Sequence, residues 1–169
     1  MVVTGLILAC TGAFATEGDK EIEATLNYGT ESFDGLGGQF GATAGFGYQF
    51  RDNLQGRADV SYFRSGTRQG DADVTGTRVP IDLGVRYYCP LGNLDSNLTA
   101  YGQGGLEVSF DDWKSAAGLQ SRSDTRLGAV LGAGAEYALA PQYGAILNLQ
   151  YHIVEGGYLS AGIGMAYHF

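Results

Sequence analysis

The segment Gln39–Phe50, Gln-Phe-Gly-Ala-Thr-Ala-Gly-Phe-Gly-Tyr-Gln-Phe, changes character at every step. Its even-numbered positions carry only Phe, Ala and Tyr, whereas its odd-numbered positions carry Gln, Thr and Gly. Successive side chains of a β-strand point to opposite faces of a sheet. A period of two therefore predicts a strand with one apolar face and one polar, glycine-rich face.

The same alternation recurs in seven other segments, which fill most of the chain beyond residue 20. Consecutive alternating segments joined by turn-rich connections are typical of antiparallel strands that pair in order. The pattern predicts an all-β fold, an eight-stranded antiparallel up-and-down barrel. The predicted strands are Glu21–Gly29, Gln39–Phe50, Leu54–Phe63, Val79–Tyr88, Leu98–Phe110, Thr125–Leu139, Gly144–Val154 and Tyr158–Phe169.

The connections between these strands fall into two classes of length. Short turns at one end of a barrel and longer loops at the other are typical of outer-membrane barrels, in which the short turns face the periplasm. The short last connection, Glu155–Gly157, departs from that pattern. The other short connections are Arg51–Asn53, Pro90–Ser96 and Ala140–Gln142, and the long ones are Thr30–Gly38, Ser65–Gly76 and Asp111–Asp124.

The direction of the apolar face separates a membrane barrel from a soluble, lipocalin-like carrier, which is also an eight-stranded barrel. Aromatic residues stand near the ends of the strands, whereas their middles carry mostly Ala, Val and Leu. Two aromatic belts around an aliphatic band match the two water–lipid interfaces of a membrane. We therefore expect the apolar face to point outward into lipid. The expected aromatic girdle is Tyr28, Phe40, Phe50, Tyr62, Tyr87, Phe110, Tyr137 and Tyr151.

The opposite face combines glycine with charges of both signs, which suits a narrow lumen in which charges pair. Four of these residues are expected toward the periplasmic end and five higher in the barrel. We expect them to form an ion-paired plug, and an ion-pair gate is the alternative. The first group is Glu23, Arg57, Arg86 and Glu136, and the second is Asp59, Arg78, Asp82, Glu107 and Arg126.

The amino-terminal residues predict an export signal. Val2–Ala13 is a short apolar run, and Ala13-Phe14-Ala15 has the small-x-small form of a cleavage site. No Lys or Arg precedes the run, which departs from the usual signal. We expect residues 1–15 to be a signal peptide and residues 16–169 the barrel domain, which leaves Cys89 as its single cysteine.

The carboxyl-terminal strand carries a resemblance to a known family. Gly45–Phe50 and Gly162–Phe169 resemble strand ends of the OmpA/OmpX-type outer-membrane barrel domain. The resemblance implies that both termini lie in the periplasm and that Tyr167 and Phe169 are an assembly signal. It also implies as partners outer-membrane lipid, lipopolysaccharide, periplasmic chaperones and the barrel-assembly machinery. Pro80 departs from a closed barrel, so we expect the fourth ladder to begin after it or to contain a bulge there.

Several classes of partner and cofactor are not expected. The net charge of -8 argues against nucleic acid, because phosphate binding requires a basic surface. The chain shows no metal-binding motif, and His152 and His168 are expected near opposite ends of the barrel. We expect a monomer without a cofactor.

An enzyme that modifies lipid A is an alternative of a different class. The turn Glu155–Gly157 would set His152 opposite Ser160, which is suggestive of a hydrolase. Both side chains point into the lumen by parity, whereas acyl chains lie outside the barrel, and no His-x-Ser pattern is present. We expect a hydrogen-bonded pair and no catalytic residue.

The predicted function is a structural or surface-interaction role, adhesin-like, with a plugged polar lumen. An extracellular protein would be contacted through the loops, where Trp113 either meets that partner or rests on the membrane surface; we favour the membrane surface. The alternatives are a narrow gated channel for ions or small solutes, a lipid A-modifying enzyme and a soluble carrier.

Overall fold

The computed structural model describes residues 17–30, 37–69, 72–90, 97–115 and 121–169. Eight antiparallel strands pair in chain order, and β1 pairs with β8 to close the barrel, which confirms the predicted fold. No helix long and apolar enough to cross a membrane occurs among these residues. The strands are β1 (Lys20–Gly29), β2 (Gln39–Arg51), β3 (Leu54–Gln69), β4 (Ala72–Pro90), β5 (Leu98–Ser115), β6 (Ser121–Ala140), β7 (Tyr143–Ile153) and β8 (Tyr158–His168).

The polar face of each strand is the inner one. On β1, Glu21 and Glu23 are buried, while Ile22 and Leu26 between and beyond them are 50% and 69% exposed. Leu127 on β6 is 79% exposed. An apolar exterior around a polar interior is the inverse of a lipocalin, so the soluble-carrier alternative is wrong.

The two ends of the barrel differ. We call the end that holds the start of β1 and the last residue of β8 the terminal end, and the opposite end the hairpin end. At the hairpin end β3 runs on to Gln69 and β4 begins at Ala72, while β5 and β6 extend to Ser115 and from Ser121. The predicted loops Ser65–Gly76 and Asp111–Asp124 are therefore mostly strand, which corrects that expectation. Their polar sequences lack an apolar face, yet the ladders continue because each strand has a neighbour to pair with.

Pro80 lies inside β4, and the expectation of a strand start or a bulge there is wrong. Pro80 pairs with Ser109 of β5. Toward β3 the ladder is interrupted between Val60↔Ile81 and Phe63↔Arg78, and the register is the same on both sides of the gap. Proline has no N–H to donate, so the ladder between β3 and β4 is interrupted locally at this residue. The paired residues on either side of the interruption keep the two strands in register.

Three sequence expectations concern residues that lie wholly or partly outside the described part of the chain. The predicted signal peptide lies outside the described residues. So do most of the loop Thr30–Gly38 and residues 91–96 of the connection between β4 and β5. Cys89 is half-buried near the end of β4.

Candidate functional site in the barrel lumen

A group of five charged residues, the lower network, crosses the lumen near the terminal end. Its members are Glu21 and Glu23 on β1, Arg57 and Asp59 on β3, and Arg86 on β4. The Arg57 guanidinium lies 2.8 Å from Glu21, 2.8 Å from Glu23 and 2.7 Å from Asp59. Arg86 lies 3.3 Å from Glu21 and 2.8 Å from Glu23. Two guanidinium groups thus hold three carboxylates inside the barrel.

The lower network forms because β2, which separates β1 from β3, carries glycine at its inner positions. A Cβ atom on Gly45 would collide with Asp59 Oδ1 and Arg57 Nη2. A Cβ atom on Gly47 would collide with the side chain of Gln55. The glycines that the sequence alternates with aromatic residues therefore make room for ion pairs across β2.

Neutral side chains complete the lower network. Gln55 donates to Glu21 over 2.9 Å, and the Tyr88 hydroxyl donates to Glu21 over 2.8 Å. Arg86 donates to Gln103 over 2.9 Å, and its guanidinium carbon lies 3.9 Å from the centre of the Tyr101 ring. Buried charges that are paired and hydrogen-bonded in this way are held in a single arrangement.

Glu136 pairs with a histidine instead of an arginine. The distance from His168 Nε2 to Glu136 Oε1 is 2.6 Å, and His168 Nδ1 lies 3.9 Å from Glu21. The pair therefore adjoins the lower network at the terminal end. His168 was expected at one end of the barrel and is found there, but the sequence pattern did not identify it as a partner of Glu136.

A second set of charges, the upper network, lies at the hairpin end. Arg78 Nε and Nη2 donate to the two carboxylate oxygens of Asp111 over 2.8 and 3.1 Å. Arg126 lies 3.3 Å from Asp111 and donates to the main-chain oxygen of Glu155 over 2.6 Å. Ser109 donates to Asp111 over 3.0 Å. This network ties β4, β5 and β6 to the connection between β7 and β8.

A third group of polar side chains lies in the lumen near the β7–β8 turn. His152 Nδ1 lies 2.7 Å from Glu107 Oε2, and His152 Nε2 lies 3.1 Å from Ser160 Oγ. The ring of His152 stacks on Tyr158 with centroids 4.1 Å apart and planes 4° apart. His152 is directly opposite Tyr158, and Ser160 is opposite Gln150, so the expectation that His152 faces Ser160 across the ladder is wrong. The two side chains meet diagonally.

The Glu107–His152–Ser160 chain has the order of a hydrolytic triad, but it lies within the lumen. Each of the three residues is 1% exposed. The apolar band lies on the opposite, outer face of the strands. An acyl chain held in that band would be separated from Ser160 by the barrel wall.

Polar side chains also fill the middle of the lumen. Asn27 donates to Thr43 over 2.8 Å, and the Thr43 and Ser61 hydroxyls are 2.7 Å apart. A cavity of about 10 Å³, room for about one water molecule, is lined in part by Arg57, Asp82 and Gln103.

The structure places the predicted lumen charges inside, with one change of grouping and several additions. Asp59 was assigned to the upper group, but it pairs with Arg57 in the lower network. Glu21 and Asp111 were not identified as lumen residues from the sequence. Glu21 has the same strand parity as Glu23, and Asp111 has the same parity as Glu107. Glu21 stands at the first residue of its predicted strand, and Asp111 was assigned to a loop. Glu23, Arg57, Arg78, Asp82, Arg86, Glu107 and Glu136 are buried, and the side chain of Arg126 is 18% exposed.

The predicted girdle lies on the outer surface. All eight side chains are exposed, from 39% for Phe50 and Tyr87 to 72% for Phe40. Tyr28 and Phe40 contact each other near the hairpin end, with ring centroids 5.0 Å apart. At the terminal end Tyr167 lies 5.1 Å from Tyr143 and 5.8 Å from Phe169. These positions suit the interfaces of a membrane.

Comparisons with known proteins agree with this geometry. No curated protein sequence matches the chain. Among solved structures, OprG from Pseudomonas aeruginosa is similar over 95% of this chain and 99% of its own, with 18% identity and a TM-score of 0.73. Ail, the attachment invasion locus protein of Yersinia pestis, is similar over 91% and 100%, with 17% identity and a TM-score of 0.62. Neisserial surface protein A is similar over 90% and 96%, with 15% identity and a TM-score of 0.60.

At these identities the solved structures establish the fold. The family model of the outer membrane protein beta-barrel domain matches residues 1–169, the whole chain. An apolar exterior belted by aromatic residues and a polar interior are typical of outer-membrane barrels. The chain therefore belongs to the outer membrane protein beta-barrel domain family and is a protein of the bacterial outer membrane.

Proposed function

We propose that this protein is a closed barrel that acts at the cell surface through the hairpins it projects, in a structural or adhesin-like role. The observation that carries the proposal is the length of the strands on one side. Strands β4, β5 and β6 have 19, 18 and 20 residues. A membrane-spanning strand needs about 9–11 residues.

The extra length is confined to one half of the barrel. Strands β1, β7 and β8 have 10, 11 and 11 residues, close to what a bilayer requires. The extensions pair with each other, since Gln69 pairs with Ala72, Val74 with Ser115 and Lys114 with Ser121. A four-stranded wall made of β3–β6 therefore stands above the rim at the hairpin end and offers a preformed surface to a partner.

The concave side of this wall carries Trp113. Inward and outward side chains alternate along β5, and Trp113 shares the parity of the buried residues Ser109 and Asp111. Trp113 is half-buried on that side, whereas Asp112 and Lys114 pair on the convex side over 3.2 Å. We therefore propose that Trp113 contacts a partner, in preference to the expected position on the membrane surface.

One protein of similar fold has a name that describes a role at the cell surface. Ail is named as an attachment protein, and one of its structures holds the heparin analogue sucrose octasulfate. The present chain has a net charge of -8, which disfavours a polyanion of that kind. We infer that its partner is an extracellular protein.

The test compares attachment by cells that carry the intact chain or trimmed hairpins. In the trimmed variant, residues 66–75 and 112–123 are each replaced by Asn-Gly, a two-residue sequence that favours a tight hairpin. Trimmed cells should lose attachment to immobilised extracellular proteins while the barrel still shows heat-dependent mobility on a gel. Equal attachment by both cell types would contradict the proposal.

The closed lumen is the second part of the proposal, and the lower network supports it. Because Arg57 and Arg86 bind carboxylates from across the lumen, an ion would have to break buried pairs to pass. In planar bilayers the wild-type protein should show no stepwise conductance. A narrow gated channel is the competing function; conductance in the wild type that rises in Glu136→Gln would favour it.

A further inference from the structure

We propose that Asp82, Glu107 and His152 form a binding site for one divalent transition-metal cation, best matched by Zn²⁺. The three side chains come from β4, β5 and β7 and meet inside the lumen. Their ligand atoms, one imidazole nitrogen and two carboxylate oxygens, all lie within 4.8 Å of one another. We call these residues the Asp82–Glu107–His152 cluster.

The carboxylates of this cluster lack the partners that the other lumen acids have. Glu107 Oε1 and Asp82 Oδ1 are buried and accept no hydrogen bond from the described residues. Neither acid makes an ion pair with Arg or Lys in the described part of the chain, and Arg78, four residues before Asp82, is engaged by Asp111. Buried carboxylates without a compensating charge are costly, and a divalent cation would supply that charge.

The donor set suits a transition metal. Imidazole and carboxylate together favour Zn²⁺ and its neighbours, whereas Mg²⁺ prefers oxygen ligands and retains its water. Ligands bound at about 2.0–2.2 Å lie roughly 3 Å apart, and His152 Nδ1 is 2.7 Å from Glu107 Oε2. The other ring nitrogen of His152 is hydrogen-bonded to Ser160, which orients the ring as outer partners of metal-binding histidines do.

A glycine and a small cavity lie next to the cluster. Strand β6 separates β5 from β7, and its inner residue opposite Glu107 is Gly128. The small cavity in the lumen is lined by Asp82 and by Val130, the residue opposite His152. A water molecule in this cavity, which holds about one, would lie beside Asp82 and serve as a further ligand.

A second group of acids and histidine provides an internal control. Glu21, Glu136 and His168 also have ligand atoms within 4.8 Å of one another. There, however, Glu21 is bound by Arg57 and Arg86, and both Glu21 oxygens accept hydrogen bonds. Because its charge is already compensated, we expect this second group to leave Zn²⁺ unbound.

The test measures metal bound by the full chain folded in detergent micelles. The protein is stripped with a chelator and dialysed against Zn²⁺ or against Mg²⁺, and bound metal is counted by mass spectrometry. The wild type should bind about one Zn²⁺ per chain and no Mg²⁺, with affinity about 10–100-fold or more above that of Glu107→Gln and His152→Gln. The controls Glu136→Gln, His168→Gln and Cys89→Ser should retain the wild-type affinity.

Two further readouts keep the outcome decisive. Each variant is first shown to be folded by its heat-dependent gel mobility, and Asp82→Asn replaces any cluster variant that fails. Co²⁺ in place of Zn²⁺ should give visible absorption bands without a thiolate charge-transfer band, in the wild type and not in the cluster variants. If the wild type binds no more Zn²⁺ than Glu107→Gln, the proposal is wrong.

Discussion

At the level of single residues, the pairing of charge decides which side chains are held inside the barrel. Arg86 is fully enclosed, with 1% of its surface exposed, and contacts Glu21, Glu23, Gln103 and the face of Tyr101. Its positive charge compensates two buried carboxylates at once. The stability of the lower network should therefore depend on the balance of charge more than on any one contact.

Replacing Arg86 by Met should destabilise the barrel, because Glu21 and Glu23 lose a cation in a buried place. The free energy of unfolding in urea should fall by about 3–5 kcal/mol. The double variant Arg86→Met/Glu23→Gln should lose less than the sum of the single changes, because it removes a charge of each sign. Arg51→Gln, at an exposed position, is the matched control. Strict additivity in the double variant would contradict a coupled network.

Ser160 should have no hydrolytic role toward lipid A. Its hydroxyl lies in the lumen beside His152, where an acyl chain in the outer band does not reach it. Lipid A from cells that express the wild type, Ser160→Ala or no barrel should give the same mass spectrum. Loss of an acyl chain with the wild type but not with Ser160→Ala would establish catalysis.

At the level of strands and hairpins, pairing extends farther than the apolar pattern. Strand β3 runs six residues beyond Phe63, where its predicted segment ends, and β4 begins seven residues before Val79. Along β5 the alternation of inner and outer faces continues beyond Phe110, where Asp111 is buried and Lys114 is exposed. The side of the wall that a residue occupies is therefore set by strand parity, as it is for Trp113.

The fluorescence of Trp113 reports this placement, because it is the single Trp of the chain. In lipid vesicles, aqueous acrylamide should quench its emission, and lipids brominated on their chains should not, since Trp113 faces away from lipid. The control is Phe110→Trp in a Trp113→Phe background, because Phe110 lies on the lipid side and is 46% exposed. That control should be quenched by brominated lipid. Quenching of Trp113 itself by brominated lipid would place it on the membrane surface.

At the level of the whole molecule, closure depends on the pairing of β1 with β8. Lys20 and Phe169 exchange two main-chain hydrogen bonds of 2.9 Å each, and β1 pairs with β8 from Glu21 to Gly29. Within the closed part of the barrel, no strand edge is left to pair with another molecule. The side chain of Phe169 stays 50% exposed, so the main chain, and not this side chain, carries the closure.

Because closure does not depend on the side chain of Phe169, we predict that this side chain matters for assembly more than for stability. Phe169→Ala should refold in detergent with the heat-dependent mobility of the wild type. In cells, the amount of folded protein in the outer membrane should fall several-fold, because the terminal aromatic residue is the expected assembly signal. Phe40→Ala, which removes another exposed aromatic side chain, should leave that amount unchanged. Equal loss in both variants would indicate a general interfacial effect.

Much of the fold was predictable because a membrane barrel imposes a local rule on every strand. Lipid on one side and a polar lumen on the other force a period of two, which Gln39–Phe50 displays without reference to any other segment. The strand count follows from that rule. The order of pairing follows from the turn-rich connections, and the outward direction of the apolar face follows from the aromatic residues at the strand ends. The rule weakens above the membrane, where Ser65–Gly76 was expected to be a loop and is mostly strand.

The sequence by itself thus determined the barrel, its orientation toward lipid and the inward placement of its charges. Only the tertiary structure decided which charges meet: Glu21 and Glu23 with Arg57 and Arg86, Asp111 with Arg78 and Arg126, and Glu107 with His152. The physical reason is that parity assigns a residue to a face, whereas a contact across the lumen depends on the stagger between strands and on glycines in the strand between them. Those quantities are properties of the closed sheet as a whole.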